Sequence, residues 1–258
     1  MRRLKVTLEY DGTNFAGFQK QTGTGIRTVQ GVLEESLKRL TGEDILTIGA
    51  GRTDSGVHAL SQVVHLDTCS PIPLDRFPAA LSGQLPPDVV ALDAALVDAS
   101  FHARYKAIAK RYSYLVFNSG MHQALWRNYC YRFPSSLDMV TMQKGAAVLT
   151  GEHDFMAFSA AGSSVKSTVR RIFSFNVEHQ GDWVKITVTA GGFLYKMVRL
   201  MVGTLLDVGR GKLSPDQVKE ILEAGERGQG GPTVPPQGLY LARVYYPGEE
   251  TRDMREFP

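Results

Sequence analysis

The hydrophobic pattern of this chain switches between a two-residue and a 3.6-residue repeat in an order that few folds allow. Residues 4–10 alternate apolar and polar side chains, which is typical of a half-buried strand. Apolar residues at 29–40 recur instead at helical spacing, between an expected N-cap at Thr28 and Gly42 at the C′ position. Further patterns predict strands at 45–50, 58–66 and 89–97 and a helix at 74–81. The first part of the chain therefore reads β-α-β-β-α-β.

The second part repeats this order of elements without any clear repeat of residues. Alternation predicts strands at 105–117, 172–179, 184–188 and 238–246. Helical spacing predicts a helix at 136–149 with Ser136 as its cap, a helix at 193–208, and a helix after Ser214 with Pro215 in its first turn. The segment 228–236 is rich in Gly and Pro and predicts a loop.

Two units of β-α-β-β-α-β order predict an α+β protein made of two ferredoxin-like, or RRM-like, halves. We expect an N-terminal half at 1–103, a C-terminal half at 104–247 and a tail at 248–258. Each half has strand edges that must be covered. Joining the two sheets at their edges would give one mixed, mainly antiparallel sheet, with helices on one face and an open cleft on the other.

Charge and composition limit the possible partners only weakly. The 258 residues carry a formal net charge of +3, so any polyanion site must come from clustered basic residues. We expect such a groove if the basic residues of strands and loops share the open face. The candidates are Arg27, Lys38, Arg39, Arg104, Lys106, Arg170, Arg171, Arg210 and Lys212.

The same composition argues against several other classes of protein. The two cysteines are far apart in sequence and predict reduced thiols in a cytoplasmic protein. The first residues lack the apolar core of a signal peptide, and no run of about 18 apolar residues predicts a membrane span. We therefore expect no membrane partner. The cysteines and histidines show no metal-binding spacing, so we expect no bound metal either.

Residues 51–58 read Gly-Arg-Thr-Asp-Ser-Gly-Val-His and lie between two predicted strands. They place the carboxylate of Asp54 close to the guanidinium of Arg52 on a turn bounded by glycines. A nearby positive charge favours the charged form of a carboxylate, which a nucleophile requires. The alternative is structural, because an Asp in an Asp-Ser-Gly turn often only accepts hydrogen bonds from the backbone.

The predicted strand at 105–117 contains Lys-Arg-Tyr-Ser-Tyr at 110–114. On a strand, Arg111 and Tyr112 point to opposite faces, whereas Tyr112 and Tyr114 share one. Aromatic rings in a basic strand suit stacking on nucleobases while the cations contact phosphates. The alternative is that both tyrosines face a core with their hydroxyls at its rim.

Arg199 is surrounded by apolar residues in the predicted helix at 193–208. A buried arginine requires a carboxylate partner, because an unpaired buried charge is costly. Lys196 lies three residues earlier and would share its helical face. The alternative is an arginine whose aliphatic stem is buried and whose charged end reaches water.

Taken together, these motifs resemble the tRNA pseudouridine synthase A family. Residues 51–59 match its catalytic loop, and further motifs follow in the family's order at 10–19, 28–31, 101–104, 111–114, 197–203 and 238–241. Ser55 stands where the family often has Ala, and Leu200 where Asn is common. The resemblance implies two ferredoxin-like halves and an isomerase without a cofactor, which converts uridines 38, 39 and 40 of the tRNA anticodon stem-loop into pseudouridine. It also implies a homodimer.

The resemblance also assigns roles to individual residues. Asp54 would be the nucleophile, attacking C1′ of the ribose or C6 of the base or acting through a glycal. Arg199 would pair with Asp54, and Tyr112 would stack on the uracil and take the C5 proton. Arg52 would fill the gap left when the target nucleotide flips out of the stem. We expect additional substrate contacts from His58, Arg104, Lys110 and Arg111.

Two other functions remain open from the residues alone. One is a non-catalytic RNA-binding module with tandem RRM-like sheets, although the RNP sequence pattern is absent. The other is a metal-dependent phosphoesterase that uses Asp54 and His58.

Overall fold

The computed structural model describes residues 1–21, 23, 25–162 and 165–248. Its strands form mostly antiparallel pairs, and the expected α+β class is confirmed. Contacts group the chain into two compact units, Met1–Ile108 with the segment from Leu241 onward, and Ala109–Tyr240. The expected division between residues 103 and 104 stays a prediction, and most of the predicted tail, 249–258, lies outside the described residues.

The first unit contains the predicted order β-α-β-β-α-β. Its elements are β1 (Arg2–Tyr10), α1 (Val29–Thr41), β2 (Ile48–Gly49), β3 (His58–Thr68), α2 (Phe77–Ser82) and β4 (Val89–Val97). Strand β1 lies between β4 and β3 and is antiparallel to both, while β2 pairs with β3. Alternate residues of β1 are fully buried, as are apolar residues of both helices: Leu4, Val6, Leu8, Leu33, Leu37, Phe77 and Leu81.

The ends of α1 confirm the sequence prediction, whereas the strand at 45–50 is much shorter than predicted. Thr28 accepts a hydrogen bond from the Gly31 N–H, and Gly42 ends the helix with φ of +77°. At the strand, the Thr47 N–H donates to Glu34 Oε1 over 3.1 Å. Because this N–H is used by a buried carboxylate, the ladder with β3 begins only at residue 48.

The second unit has more strands than its sequence pattern predicts. It contains β5 (Ala109–Phe117), β6 (Tyr131–Arg132), α3 (Met139–Val148), β7 (Gly151–Asp154), β8 (Val169–Gln180), β9 (Trp183–Ala190), α4 (Met197–Gly209) and α5 (Pro215–Ala224). Strands β5, β9, β8 and β7 are neighbours in that order and antiparallel, and β6 pairs parallel with β5. Strand β10 (Leu239–Tyr245) follows the last loop, and its residues from Leu241 onward are grouped with the first unit.

The first residues of helices α3, α4 and α5 can be compared with those predicted from the sequence. Helix α3 is capped by Asp138 and not by Ser136, since the Asp138 carboxylate accepts from two backbone N–H groups of the first turn. Helix α4 begins at Met197, four residues later than predicted, because Lys196 has a left-handed backbone with φ of +57°. Lys196 therefore does not share a helical face with Arg199. Helix α5 has the predicted Ser214 cap.

The segment 228–236, predicted to be a loop, passes directly over α4. A Cβ added at Gly203 would lie 1.8 Å from the Pro232 carbonyl oxygen, so only glycine fits at this point of the helix. The Gly231 N–H donates to Thr204 Oγ1 over 2.7 Å. The loop is thus held against α4 one turn after Arg199.

We expect Gly203→Ala to lower the free energy of unfolding by about 3 kcal/mol or more, because the new methyl group meets backbone that cannot move aside easily. Gly120→Ala is the matched control, since a Cβ at residue 120 meets nothing within 4 Å. Urea unfolding of both variants measures the difference. Equal stabilities would contradict the close approach of loop and helix.

Candidate active site

The residue before Asp54 is held by the end of β1 and the segment that follows it. The hydroxyls of Thr53 and Tyr10 share a hydrogen bond of 2.8 Å, and both side chains are buried. The Phe18 N–H donates to the Thr53 carbonyl over 3.1 Å. Asp54 therefore follows a residue whose side chain and backbone are both bound.

The residues after Asp54 are held in a similar way. Ser55 Oγ and the Gly56 N–H both donate to the Phe15 carbonyl, over 3.2 and 3.3 Å. The Val57 N–H donates to the Asp54 carbonyl over 3.1 Å and closes the turn, with Gly56 at φ of +75°. The backbone of Asp54 is thus fixed on both sides, while its side chain is only half-buried.

Two glycines let the segment 10–18 approach this loop closely. A Cβ at Gly12 would lie 2.1 Å from the Val57 carbonyl oxygen, and one at Gly17 would lie 2.7 Å from the Thr53 carbonyl oxygen. Gly17 also has φ of +104°, which other residues rarely adopt. The motif at 10–19 therefore forms the surface on which the Asp54 loop rests.

His58 is only 2% exposed, which does not favour the expected contact with a substrate. Its Nδ1 accepts a hydrogen bond from the Gly12 N–H over 3.0 Å and lies 3.1 Å from Asp11 Oδ1. Asp11 in turn accepts from the Thr13 N–H. These contacts join the end of the loop to the turn after β1, so His58 is better placed to position the loop.

Arg52 is exposed, and its Nε donates to Gln19 Oε1 over 2.6 Å. Gln19 follows Phe18, whose carbonyl accepts from the Gln30 N–H at the start of α1. Gln19 could not be singled out from the sequence, because nothing in its residue type indicates a partner 33 positions later. The contact orients the Arg52 side chain at the surface of the loop.

In the second unit, Tyr112 and Tyr114 lie on the same face of β5, as predicted, but their surroundings differ. Tyr112 is 8% exposed and packs edge-on against Phe193, with ring centroids 5.1 Å apart. Tyr114 is fully buried, and its hydroxyl donates to the Pro235 carbonyl over 2.8 Å. Burial raises the pKa of Tyr114 well above its ordinary value. Of the two alternatives for this strand, Tyr114 therefore fits the core residue and not the stacking platform.

Arg199 is half-buried near the start of α4, and its Nε donates to the Val234 carbonyl over 2.7 Å. This bond joins the helix to the loop at 228–236 and fixes the plane of the guanidinium. The positive charge of Arg199 acts to lower the pKa of Tyr114, although burial of that phenol dominates.

The other expected substrate contacts differ in exposure. Arg104 is exposed, with its guanidinium 5.8 Å from the Tyr105 ring centre. Arg111 is half-buried on the strand face opposite Tyr112, and its Nε donates to Thr189 Oγ1 over 3.4 Å. Lys110 is also half-buried.

Several basic residues expected in an electrostatic groove are paired with carboxylates. The pairs are Arg27 with Asp88, Lys38 with Asp44, and both Arg210 and Lys212 with the buried Asp207. Their charges are partly compensated within the protein, which does not favour these four as members of a groove.

Among the described residues, no three His, Cys, Asp or Glu side chains are grouped so that they could hold a metal ion. In the same part of the chain, no helix is both long and apolar enough to span a bilayer.

Comparison with known proteins gives consistent matches over almost the whole chain. The model of a family described as tRNA pseudouridine synthase matches residues 7–106 and 146–247. The chain is 47% identical over 246 residues to tRNA pseudouridine synthase A of Caldicellulosiruptor saccharolyticus, covering 95% of this chain and 100% of that protein. Identity to the protein of the same name from Acetivibrio thermocellus is 48% with the same coverage.

A solved structure titled "Crystal Structure of a Cbf5-Nop10-Gar1 Complex" aligns with 95% of this chain and 58% of that chain. Its TM-score of 0.37 and identity of 12% are too low to bear on fold or function.

The buried hydroxyl of Tyr10 gives a prediction for stability at high pH. Burial raises the pKa of Tyr10 from 10.0 to about 12, so the folded protein keeps this phenol neutral. The unfolded chain ionises first, so this contribution to stability is present below about pH 10 and is lost as the pH rises towards 12.

We therefore expect wild-type protein to lose roughly 2 kcal/mol of stability relative to Tyr10→Phe between about pH 9 and about pH 11.5. Urea unfolding of both proteins across this range measures the difference. A difference that does not change with pH would contradict the burial of Tyr10.

Proposed function

Because this chain belongs to the tRNA pseudouridine synthase family, we propose that it converts uridines 38, 39 and 40 of the tRNA anticodon stem-loop into pseudouridine. Its relatives carry the name of an isomerase that acts on tRNA, so the class of enzyme and of substrate follow from the family. The finer choice of uridines rests on the motifs at 10–19, 51–59 and 197–203.

The observation that carries the proposal is the way Asp54 is presented. Hydrogen bonds hold the backbone at Thr53 and Gly56 on either side of Asp54, whose side chain stays half-buried. A carboxylate on a rigid turn suits a nucleophile, because little motion must be frozen when the substrate arrives. Asp54 is therefore the proposed nucleophile of the isomerisation.

The reaction moves the ribose from one atom of the uracil to another. The bond from C1′ to N1 breaks, the base turns, and a bond from C1′ to C5 forms. N1 gains a proton and C5 loses one, so no redox cofactor or water is consumed. The proposal accordingly includes no metal and no cofactor.

Tyr112 is proposed to hold the uracil and to receive the C5 proton through its hydroxyl. The edge-on contact with Phe193 supports this role because it restrains the Tyr112 ring. Arg199 is proposed to pair with the nucleophilic carboxylate. The bond from its Nε to the Val234 carbonyl supports this role, because it fixes the plane of the guanidinium.

Arg52 is proposed to enter the space that the flipped nucleotide leaves in the stem. Its exposure and its contact with Gln19 support this role, since the side chain is both reachable and oriented. Arg104, Lys110 and Arg111 are proposed contacts to the RNA backbone. We further propose that the enzyme works as a homodimer in the cytoplasm.

The two other functions have less support. A non-catalytic RNA-binding module does not fit a chain whose family is one of isomerases. A metal-dependent phosphoesterase would need His58 at a ligand position, whereas its Nδ1 is bound by the Gly12 N–H.

Asp54→Asn is expected to reduce pseudouridine formation by a factor of about 10⁴ or more, because the amide is a poor nucleophile, while tRNA binding persists. Release of tritium from C5 of uridine in unmodified tRNA, without added metal, measures the reaction. Asp93→Asn is the control, since it removes a carboxylate from an exposed position of β4. Turnover near the wild-type rate in Asp54→Asn would contradict the assignment.

The choice of uridines is tested with tRNAs that carry uridine at only one of positions 38, 39 and 40. We expect pseudouridine at each of the three positions and at no uridine outside the anticodon stem-loop. Chemical mapping of pseudouridine by primer extension detects the product. Modification elsewhere in the tRNA would contradict the proposed specificity while leaving the family unchanged.

A further inference from the structure

Arg170, near the start of β8, has no carboxylate partner among the residues that the structure describes. Its side chain is half-buried, and its Nη1 donates to the carbonyl oxygens of Ser167 and Val169 over 2.9 and 2.6 Å. Burial lowers the pKa of Arg170. Arg170 is therefore a partly desolvated positive charge that no described carboxylate neutralises.

The position of Arg170 relates it to Tyr112 within the same unit. Ile172 of β8 opposes Ala190 of β9, which in turn opposes Lys110 of β5. Residues two apart on a strand share a face, so Arg170 and Tyr112 belong to the same side of this sheet.

A glycine brings Arg170 close to the aromatic pair. A Cβ added at Gly192 would lie 3.8 Å from Arg170 Nε, so the arginine side chain runs along the backbone of Gly192. The next residue is Phe193, which packs against Tyr112. Arg170 is thus connected through Gly192 and Phe193 to Tyr112, the residue proposed to hold the target base.

The chemistry of the unused donors indicates the ligand. The two carbonyls orient Nη1 but carry no net charge, and Arg170 Nε and Nη2 make no hydrogen bond with the described residues. Two parallel N–H donors on one edge of a guanidinium match the two oxygens of a phosphodiester. RNA supplies such a group at every nucleotide.

We propose that Arg170 binds a backbone phosphate of the RNA, next to the nucleotide that Tyr112 contacts; this inference rests on the proposed function. It adds a substrate-binding residue outside the motifs at 51–59, 111–114 and 197–203. The neighbouring Arg171 provides a matched comparison. It lies on the other face of β8, is exposed, and stands over the Phe173 ring at 5.9 Å.

The test compares Arg170→Gln with Arg171→Gln, because each removes one positive charge from adjacent positions. Affinity for unmodified tRNA is measured at several salt concentrations, together with the single-turnover rate at saturating tRNA. Arg170→Gln is expected to weaken binding about tenfold or more and to reduce the salt-dependence slope by about 0.7–0.9. Arg171→Gln is expected to change affinity by less than about threefold.

Equal losses in the two variants would overturn the inference, because a general effect of net charge would then explain them. Unchanged affinity of Arg170→Gln in an otherwise active enzyme would also overturn it. Wild-type protein that makes no pseudouridine in tRNA would instead overturn the proposed function. If Arg170→Gln does not fold, the affinities of Arg170→Lys and Arg171→Lys for tRNA are compared instead. Arg170→Lys is expected to bind tRNA several-fold more weakly than wild type, and Arg171→Lys is not.

Discussion

The close packing of the Asp54 loop on the segment 10–18 is the constraint on which the candidate active site depends. One buried hydrogen bond, between the hydroxyls of Tyr10 and Thr53, lies at its centre. Backbone hydrogen bonds from Phe18 to Thr53 and from Gly56 to Phe15 hold the loop against the segment on either side of Asp54. A carboxylate on an unsupported glycine-rich turn would sample many positions. The packing removes that freedom before any substrate binds.

In the second unit, Arg199 and Tyr112 are likewise held in place by neighbouring segments of the chain. The loop at 228–236 lies against α4 at Gly203 and supplies the carbonyl that fixes Arg199 Nε. Phe193 restrains Tyr112 from the segment just before that helix. In both units, a glycine allows two stretches of backbone to approach closely, and a polar side chain is then held by backbone groups. Rigid supports of this kind are what preorganised catalysis requires.

Much of this arrangement could be predicted from local sequence, and the remainder depends on distant partners. The patterns around α1 and α5 predicted their caps, because capping is decided within four residues. Strands β6 and β7 were missed, since two and four residues carry too little periodicity. The late start of α4 was missed because Lys196 adopts a left-handed conformation that is rare outside glycine.

The site was predictable to a similar degree. The motif at 51–58 pointed to Asp54. The hydrogen bond between the Gly12 N–H and buried His58 could not be predicted, because the two residues are 46 positions apart. The pairing of Arg27 with Asp88 across 61 positions was equally invisible in the sequence. The central claim, that the hydrogen bond between Tyr10 and Thr53 holds the Asp54 loop in place for catalysis, is tested most directly by kcat for Tyr10→Phe, Thr53→Val and the double variant. The account predicts that the double variant is no slower than the slower single variant, whereas losses that multiply would contradict it.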